Sequence, residues 1–293
     1  LNLVISANGL VGQNIFNLLQ IDKTKNSLGT CFSRNKKQFQ YLNILDLKST
    51  SDFIKKIKPE TIYFCSNLAG GVNFCEDNKQ LAFDFHVTAT LNIVETAKEI
   101  DSQLVYFSTD YVYSGEKIEY SETDAPAPIN YYGQLKKESE RKIEEELEHF
   151  LIIRTTNVYD YDIETVTPNY LMNVLQKLKC GDIVEAPTNL FGTPTLASEL
   201  ALGVIDLAQK KCHGIFHLVG PDFVSRYDWA LKIAKYFNCD ESLVRPVTSI
   251  NNFPRRPLKV RLLTKKFEKY SAVKFSNIDA GMLKILEKIR TQI

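Results

Sequence analysis

Short apolar runs alternate with longer amphipathic stretches through the first half of the chain. Leu3, Val4 and Ile5 form a run that stops at a glycine-containing turn, the pattern of a strand buried on both faces. Residues 10–20 then carry apolar side chains at helical spacing. Runs at 28–32, 41–45, 61–65, 104–107 and 150–153 predict five more strands. Residues 79–100 predict a long amphipathic helix with Leu81, Phe85, Leu91 and Val94 among its apolar positions. Residues 132–147 are Pro-free and rich in Lys and Glu, which suits an exposed helix. This alternation predicts an α/β fold: a doubly wound parallel sheet of Rossmann type, with helices on both faces. Ligands of such sheets bind at the carboxyl ends of the strands, where the strand order reverses.

After Val158 the rhythm loosens. Helices are predicted near 169–178, 197–209, 226–237 and 277–290, with short strands between them, such as 215–219. Residues 1–158 therefore read as a dinucleotide-binding domain and 159–293 as a smaller mixed α/β lobe for substrate. No repeat or linker separates them, so the two are expected to pack as one unit, with the chain free to cross between lobes. Hydrophobic residues make up 44% and charged residues 24% of the 293, enough to build a large core without disulfide or metal. Lys and Arg number 36 against 35 for Asp and Glu, which argues against a general nucleic-acid or acidic-membrane binder. No apolar run approaches the roughly 18 residues of a membrane helix, and the first residues lack signal-peptide features. The six cysteines have no metal-ligand spacing and read as reduced structural thiols of a cytoplasmic protein.

The first run leads into Ser6-Ala7-Asn8-Gly9-Leu10-Val11-Gly12. Gly9 and Gly12 have the spacing of the last two glycines of a GxxGxxG turn, which wraps a pyrophosphate against a helix N-terminus. Ser6 takes the first glycine's place and is expected to narrow the turn and weaken cofactor binding. The second run is followed by Ser33-Arg34-Asn35-Lys36-Lys37, three cations and no acid. A cation here suits the 2′-phosphate of NADP, where an acid would suit NAD. Asp46 is placed either for the adenine edge or as a helix cap.

Tyr132 and Lys136 form a YxxxK at the start of a helical stretch, where an i,i+4 pair shares one face. An ammonium so placed is expected to lower the phenol from its ordinary value of about 10. Two other YxxxK matches, Tyr113 with Lys117 and Tyr270 with Lys274, lie in a loop and outside the sheet region. The fifth run ends in Ser108-Thr109-Asp110-Tyr111, which brings a hydroxyl to the carboxyl edge of the sheet. Thr109 there is either a cap or a hydrogen-bonding partner for a substrate carbonyl beside Tyr132.

In these motifs the chain resembles the extended short-chain dehydrogenase/reductases. It is most similar to the dTDP-4-dehydrorhamnose reductase group, which includes the regulatory β subunit of methionine adenosyltransferase. The matching stretches are SANGLVGQ (6–13), FSTDYVYSG (107–115), APAPINYYGQLKKESE (125–140), LIIRTTNVY (151–159), LFGTPT (190–195), GIFHLVG (214–220) and RPLKVRLLTKKFEK (256–269). The resemblance implies catalytic roles for Thr109, Tyr132 and Lys136. It implies NADP(H) held by Gly9, Leu10, Val11, Gly12, Ser33, Arg34, Ser66 and Asn67, with Tyr132 and Lys136 at the nicotinamide. Substrate would meet Gly70, Gly71, Val72, Thr109, Tyr111, Asn157 and Arg256, with Arg256 toward a diphosphate. The implied activity is NADP(H)-dependent reduction of a nucleotide-linked 4-keto-6-deoxy sugar; no metal-ligand residues are singled out, and a homodimer is the expectation from the base rate of oligomers. Ser6, Ser66-Asn67, His86 and Asp160 depart from the group's pattern. They keep open a cofactor-binding regulatory subunit without turnover, and an epimerase of nucleotide sugars on the same fold. His86 is expected at a helix start, or as a proton relay.

Overall fold

Seven parallel strands make one sheet: β1 (Asn2–Ile5), β2 (Ser27–Cys31), β3 (Gln40–Tyr41), β4 (Thr61–Phe64), β5 (Gln103–Thr109), β6 (Phe150–Thr155) and β7 (Gly214–His217). Their spatial order is β7-β6-β5-β4-β1-β2-β3. The order reverses between β1 and β4, which places the ligand crevice above those two strand ends. The computed structural model describes residues 1–21, 26–32, 38–162, 168–248 and 254–292.

Successive strand residues face opposite sides, and the two cores follow from that period of two. Val4, Tyr63, Val105, Leu151 and Ile153 face α1 (Leu10–Ile21). Leu3, Ile5, Ile62, Phe64, Leu104 and Ile152 face the other way, onto the apolar side of α2 (Leu47–Ile57). The sequence pattern read no helix over α2 or over α3 (Gly71–Asp77). Asp46 caps α2 by accepting from the Ser49 amide at 3.1 Å, so its place in the fold is a helix N-cap. The predicted strand over 41–45 shrinks to Gln40–Tyr41, and Leu42 and Ile44 bury from irregular chain instead.

The long helix expected at 79–100 is α4 (Lys79–Phe83), a π-helical turn (Asp84–Thr88) and α5 (Ala89–Glu99). His86 therefore sits inside that rod, not at a helix start. Next comes α6 (Tyr131–Glu146), capped by Asn130 through the Gly133 amide at 2.9 Å. The later helices are α7 (Tyr170–Lys179), α8 (Ala197–Gln209), α9 (Arg226–Tyr236), α10 (Lys265–Tyr270) and α11 (Ile278–Gln292).

The second half of the chain does not stay in a second lobe. α8 packs Leu200, Val204 and Leu207 into the α1 side of the main core, and β7 pairs with β6 along Gly214–His217. The short strand expected at 215–219 thus belongs to the large sheet. The smaller lobe gathers α7, α9 and α11 around Trp229, with a parallel pair of strands at Val184–Pro187 and Val244–Val247. Among the described residues no helix is long and apolar enough to cross a membrane. None of the six cysteines is paired.

Candidate active site

The crevice at the reversal point is a cleft of about 320 Å³. Its floor is where the ends of β1 and β4 meet. The Cys65 amide donates to the Ile5 carbonyl at 3.1 Å, and the two hydroxyls beyond, Ser6 and Ser66, lie 2.6 Å apart. Ser6 stands in the left-handed region at φ 63°, the backbone form that glycine adopts freely. The turn therefore keeps a glycine-type backbone shape with serine in it. Gly12 is required by contact: a Cβ there would fall 2.3 Å from the Ser6 carbonyl oxygen. That closeness seats the first turn of α1, with Val11 on the cleft wall.

The opposite wall is the end of β5. Thr109 is extended and caps a 3₁₀ turn over Asp110–Val112. Its hydroxyl accepts from the Tyr111 amide at 3.2 Å and donates to Asp110 Oδ1 at 3.0 Å. The hydroxyl expected to donate to a substrate carbonyl is thus turned onto its neighbour. Asp110 is 6% exposed and bonded also to Thr156. Burial pushes its carboxyl up to about 6, against the pull of these hydroxyls and of Arg226. The helix bearing Tyr132 presses on this turn at Gly133, where a Cβ would fall 2.2 Å from the Tyr111 carbonyl oxygen.

Tyr132 and Lys136 share the α6 face that lines the cleft. Lys136 Nζ donates to the Phe107 carbonyl at 2.8 Å and lies 4.6 Å from the Tyr106 ring centre, but 6.0 Å from that of Tyr132. Burial lowers the ammonium to about 8. The Tyr132 phenol is pushed well above its ordinary value by burial and by neighbouring Tyr106, Cys75, Asp110 and Tyr111. The expected lowering by Lys136 gives way to a rise driven first by burial, with the ammonium bonded to the Phe107 carbonyl. His86 packs edge-on to Tyr132, ring centres 5.5 Å apart, with its Nε2 buried and without a partner. Burial and the charge of Lys136 keep its imidazole neutral, well below its usual range.

Of the residues singled out from sequence, Val11, Ser66, Asn67, Thr109, Tyr111, Tyr132, Lys136 and Asn157 all line this one cleft. Gly9, Leu10 and Gly12 form the turn beside it. Gly70, Gly71 and Val72 lie off it, at the start of α3, with Val72 buried. Arg256 is also outside the lining; it bonds Asn73 Oδ1 at 2.6 Å and reaches Tyr111. Ser33 and Arg34, with Lys36 and Lys37, lie outside the described residues. Asp160 serves the small lobe: it is buried, and Lys288 of α11 bonds it at 2.9 Å.

Asp110 and Arg226 are the residues that the sequence reading passed over. An acid directly after the strand-end threonine was a signal for the first. Nothing local marks Arg226, which is brought behind the cleft residue Asn157 only through the packing of α9. Its guanidinium bonds Asn157 Oδ1 and lies 4.4 Å from the Tyr170 ring centre and 5.4 Å from that of Trp229. Among the described residues no three His, Cys, Asp or Glu side chains are grouped to hold a metal ion.

The profile of the RmlD substrate binding domain matches residues 2–291. Methionine adenosyltransferase 2 subunit beta of Xenopus tropicalis is 27% identical over 277 residues, 91% of this chain and 81% of its own. The dTDP-4-dehydrorhamnose reductase of Shigella flexneri is 28% identical over 259 residues, 83% of this chain and 84% of its own. Among solved structures, a hypothetical dTDP-4-dehydrorhamnose reductase from Sulfolobus tokodaii is 30% identical, with a TM-score of 0.83 over 96% of this chain and 98% of that one. A Bacillus anthracis reductase of the same name, solved with NADP, shares the fold at 22% identity and a TM-score of 0.87, over 98% of each chain. With its profile matched almost end to end, the chain belongs to the RmlD substrate-binding-domain family, within the extended short-chain dehydrogenase/reductases.

Proposed function

We propose that this protein reduces the C4 carbonyl of a nucleotide-linked 4-keto-6-deoxy sugar with NADPH. The observation that carries the reading is the convergence of Thr109, Tyr132 and Lys136 on one cleft that also takes in Val11 and Ser66, beside the glycine turn at the reversal point of the sheet. The residues present fit a dinucleotide. The turn after β1 leads into the N-terminus of α1, with Val11 of its first turn on the cleft wall, and a helix N-terminus favours a pyrophosphate. Ser66 and Asn67 line the path from that turn toward Tyr132. When bound, the cofactor supplies a hydride. Tyr132 supplies the proton: burial holds its phenol in the protonated form, ready to donate to a carbonyl oxygen. Lys136 is oriented by the Phe107 carbonyl and keeps a cation beside the ring. A positioned acid of this type contributes roughly 10²–10⁴-fold to rate.

The reading is tested by a panel of 4-keto sugar nucleotides, following loss of NADPH absorbance. Repeated turnover with one of them supports it; NADPH binding with no turnover on any of them replaces it with a second reading, a cofactor-binding regulatory subunit. That second reading has support of its own. The methionine adenosyltransferase β subunits match this chain over 84–91% of its length. Thr109 also has its proton on Asp110, not free for a substrate.

A further inference from the structure

A threonine hydroxyl has one proton and two lone pairs. In Thr109 the proton goes to Asp110 Oδ1 and one lone pair takes the Tyr111 amide. A single lone pair is left for the cleft. A ketone oxygen is itself an acceptor, so it finds no bond at Thr109 in this arrangement. An alcohol, which brings its own proton, does. The arrangement holds while the Asp110 carboxyl is ionised. A neutral carboxyl attracts the threonine proton less and can itself donate to Thr109 Oγ1, which turns the threonine proton toward the cleft.

We propose that Asp110 is a positioning residue whose charge state decides what Thr109 offers the substrate: a lone pair for an alcohol, or a proton for a ketone. The inference rests on carbonyl reduction at Thr109 and Tyr132 as read above. The surroundings of Asp110 make the two states close in energy. It lines the cleft and is 6% exposed, which favours the neutral acid. Hydroxyls of Thr109 and Thr156 favour the ion, as does the charge of Arg226 from the start of α9. Tyr111 on its own turn and Tyr132 on α6 face it as neutral phenols, with Lys136 one turn further along α6 and Arg256 reaching Tyr111. Burial pushes Asp110 to about 6, within the range where both states are populated. Arg226 is the cation whose charge acts on it through space. It is held by neutral partners, the Asn157 carboxamide and the rings of Tyr170 and Trp229, so its charge is not spent on a carboxylate among the described residues.

The experiment combines a direct titration with kinetics. Carbon-13 NMR of carboxyl-labelled aspartate, with Asp110→Asn to assign the signal, should show Asp110 titrating near pH 6. Arg226→Met removes the stabilising cation and should move that titration upward. For ketone reduction, kcat/KM should fall about tenfold per pH unit above the titration, and alcohol oxidation should change in the opposite sense. Arg226→Met should carry both limbs upward with the NMR signal, and Asp110→Asn should flatten them. The proposal is overturned if Asp110 does not titrate between pH 5 and 8. It is equally overturned if the limbs persist in Asp110→Asn, or if Arg226→Met moves the signal but not the rates. If Asp110 titrates as stated but no 4-keto sugar is reduced, the reaction assigned above is what fails, and the role of Asp110 in it falls with it.

Discussion

The hydroxyls of Ser6 and Ser66 lie 2.6 Å apart, joining the turn after β1 to the end of β4 across the floor of the cleft. Two departures from the family pattern thus meet as a hydrogen-bonded pair. Ser6 already holds the left-handed backbone form, which costs an ordinary residue on the order of 1–3 kcal/mol. The bond to Ser66 returns about 0.5–1.5 kcal/mol of that.

Ser6→Gly should therefore leave the turn's shape unchanged. It removes the strain and the bond together, so stability should shift by less than roughly 2 kcal/mol. NADPH affinity, measured by calorimetric titration, should change by less than about threefold. Ser6→Val places a branched side chain at positive φ and should weaken both stability and binding. A tenfold tightening in Ser6→Gly would show that the serine side chain does weaken cofactor binding.

In the proposed reading, cofactor choice rests on Arg34 in the basic segment that follows β2 in the sequence. Arg34→Ala should erase most of a preference for NADPH over NADH of about 10- to 150-fold, the worth of a charge-assisted phosphate contact of roughly 1.5–3 kcal/mol. Dissociation constants for both cofactors check this. Equal binding by the unmutated protein would refute the assignment.

Tyr132→Phe keeps the ring and its packing on His86 while removing the hydroxyl proposed as proton donor. kcat should fall by about two to four orders of magnitude with NADPH binding nearly unchanged. Tyr113→Phe should act differently. Its hydroxyl lies 2.6 Å from Arg154 Nη1 and 2.9 Å from His217 Nε2, in a buried network that continues to Glu140 of α6. Removing it leaves buried polar groups unpaired and should lower stability by about 1–3 kcal/mol, read as a fall in denaturation midpoint. Full activity in Tyr132→Phe would exclude it as the acid.

Lys136 gives a pH signature in stability. Burial holds it at about 8 in the fold, while an unfolded chain holds lysine near 10.4. Between those values the unfolded chain binds more protons, so stability rises with pH; below pH 8 the cost of the buried ammonium is fully present. Lys136→Met should raise unfolding free energy at pH 7 by on the order of 1–3 kcal/mol and lose that advantage as pH climbs toward 10.4. Denaturant titrations of both proteins at the two pH values measure it. An advantage of equal size at both would show that the ammonium is not strained by its site.

Local sequence was sufficient for much of this. The apolar runs determined β1, β4 and the central residues of β5 and β6, because a strand segment buried on both faces is apolar along its run, while β2 was marked more weakly by Leu28 and Cys31 around Gly29 and Thr30. The spacing of Gly9 and Gly12 placed the turn, and the four-residue spacing of Tyr132 and Lys136 placed both on one helical face. Helix α2 was legible in principle from its Asp46 cap and from Leu47, Ile54 and Ile57 at helical spacing, but the loop-like composition of 48–52 masked it. Helix α3 starts at paired glycines, which resemble a loop.

Other features depended on tertiary structure, because they join residues with no fixed spacing along the chain. That β7 would leave the smaller lobe and complete the large sheet was decided by the open edge of β6 and by the apolar face α8 offers to α1. Only packing could bring Ser66 within a hydrogen bond of Ser6, or draw Arg226 onto Asn157 from 69 residues further along the chain. The charge states were decided there as well. The sequence determined which titratable groups the site would hold, while burial decided how tightly each keeps its proton. Desolvation acts on the charged form alone, so the same enclosure that pushes Tyr132 and Asp110 up pulls Lys136 and His86 down.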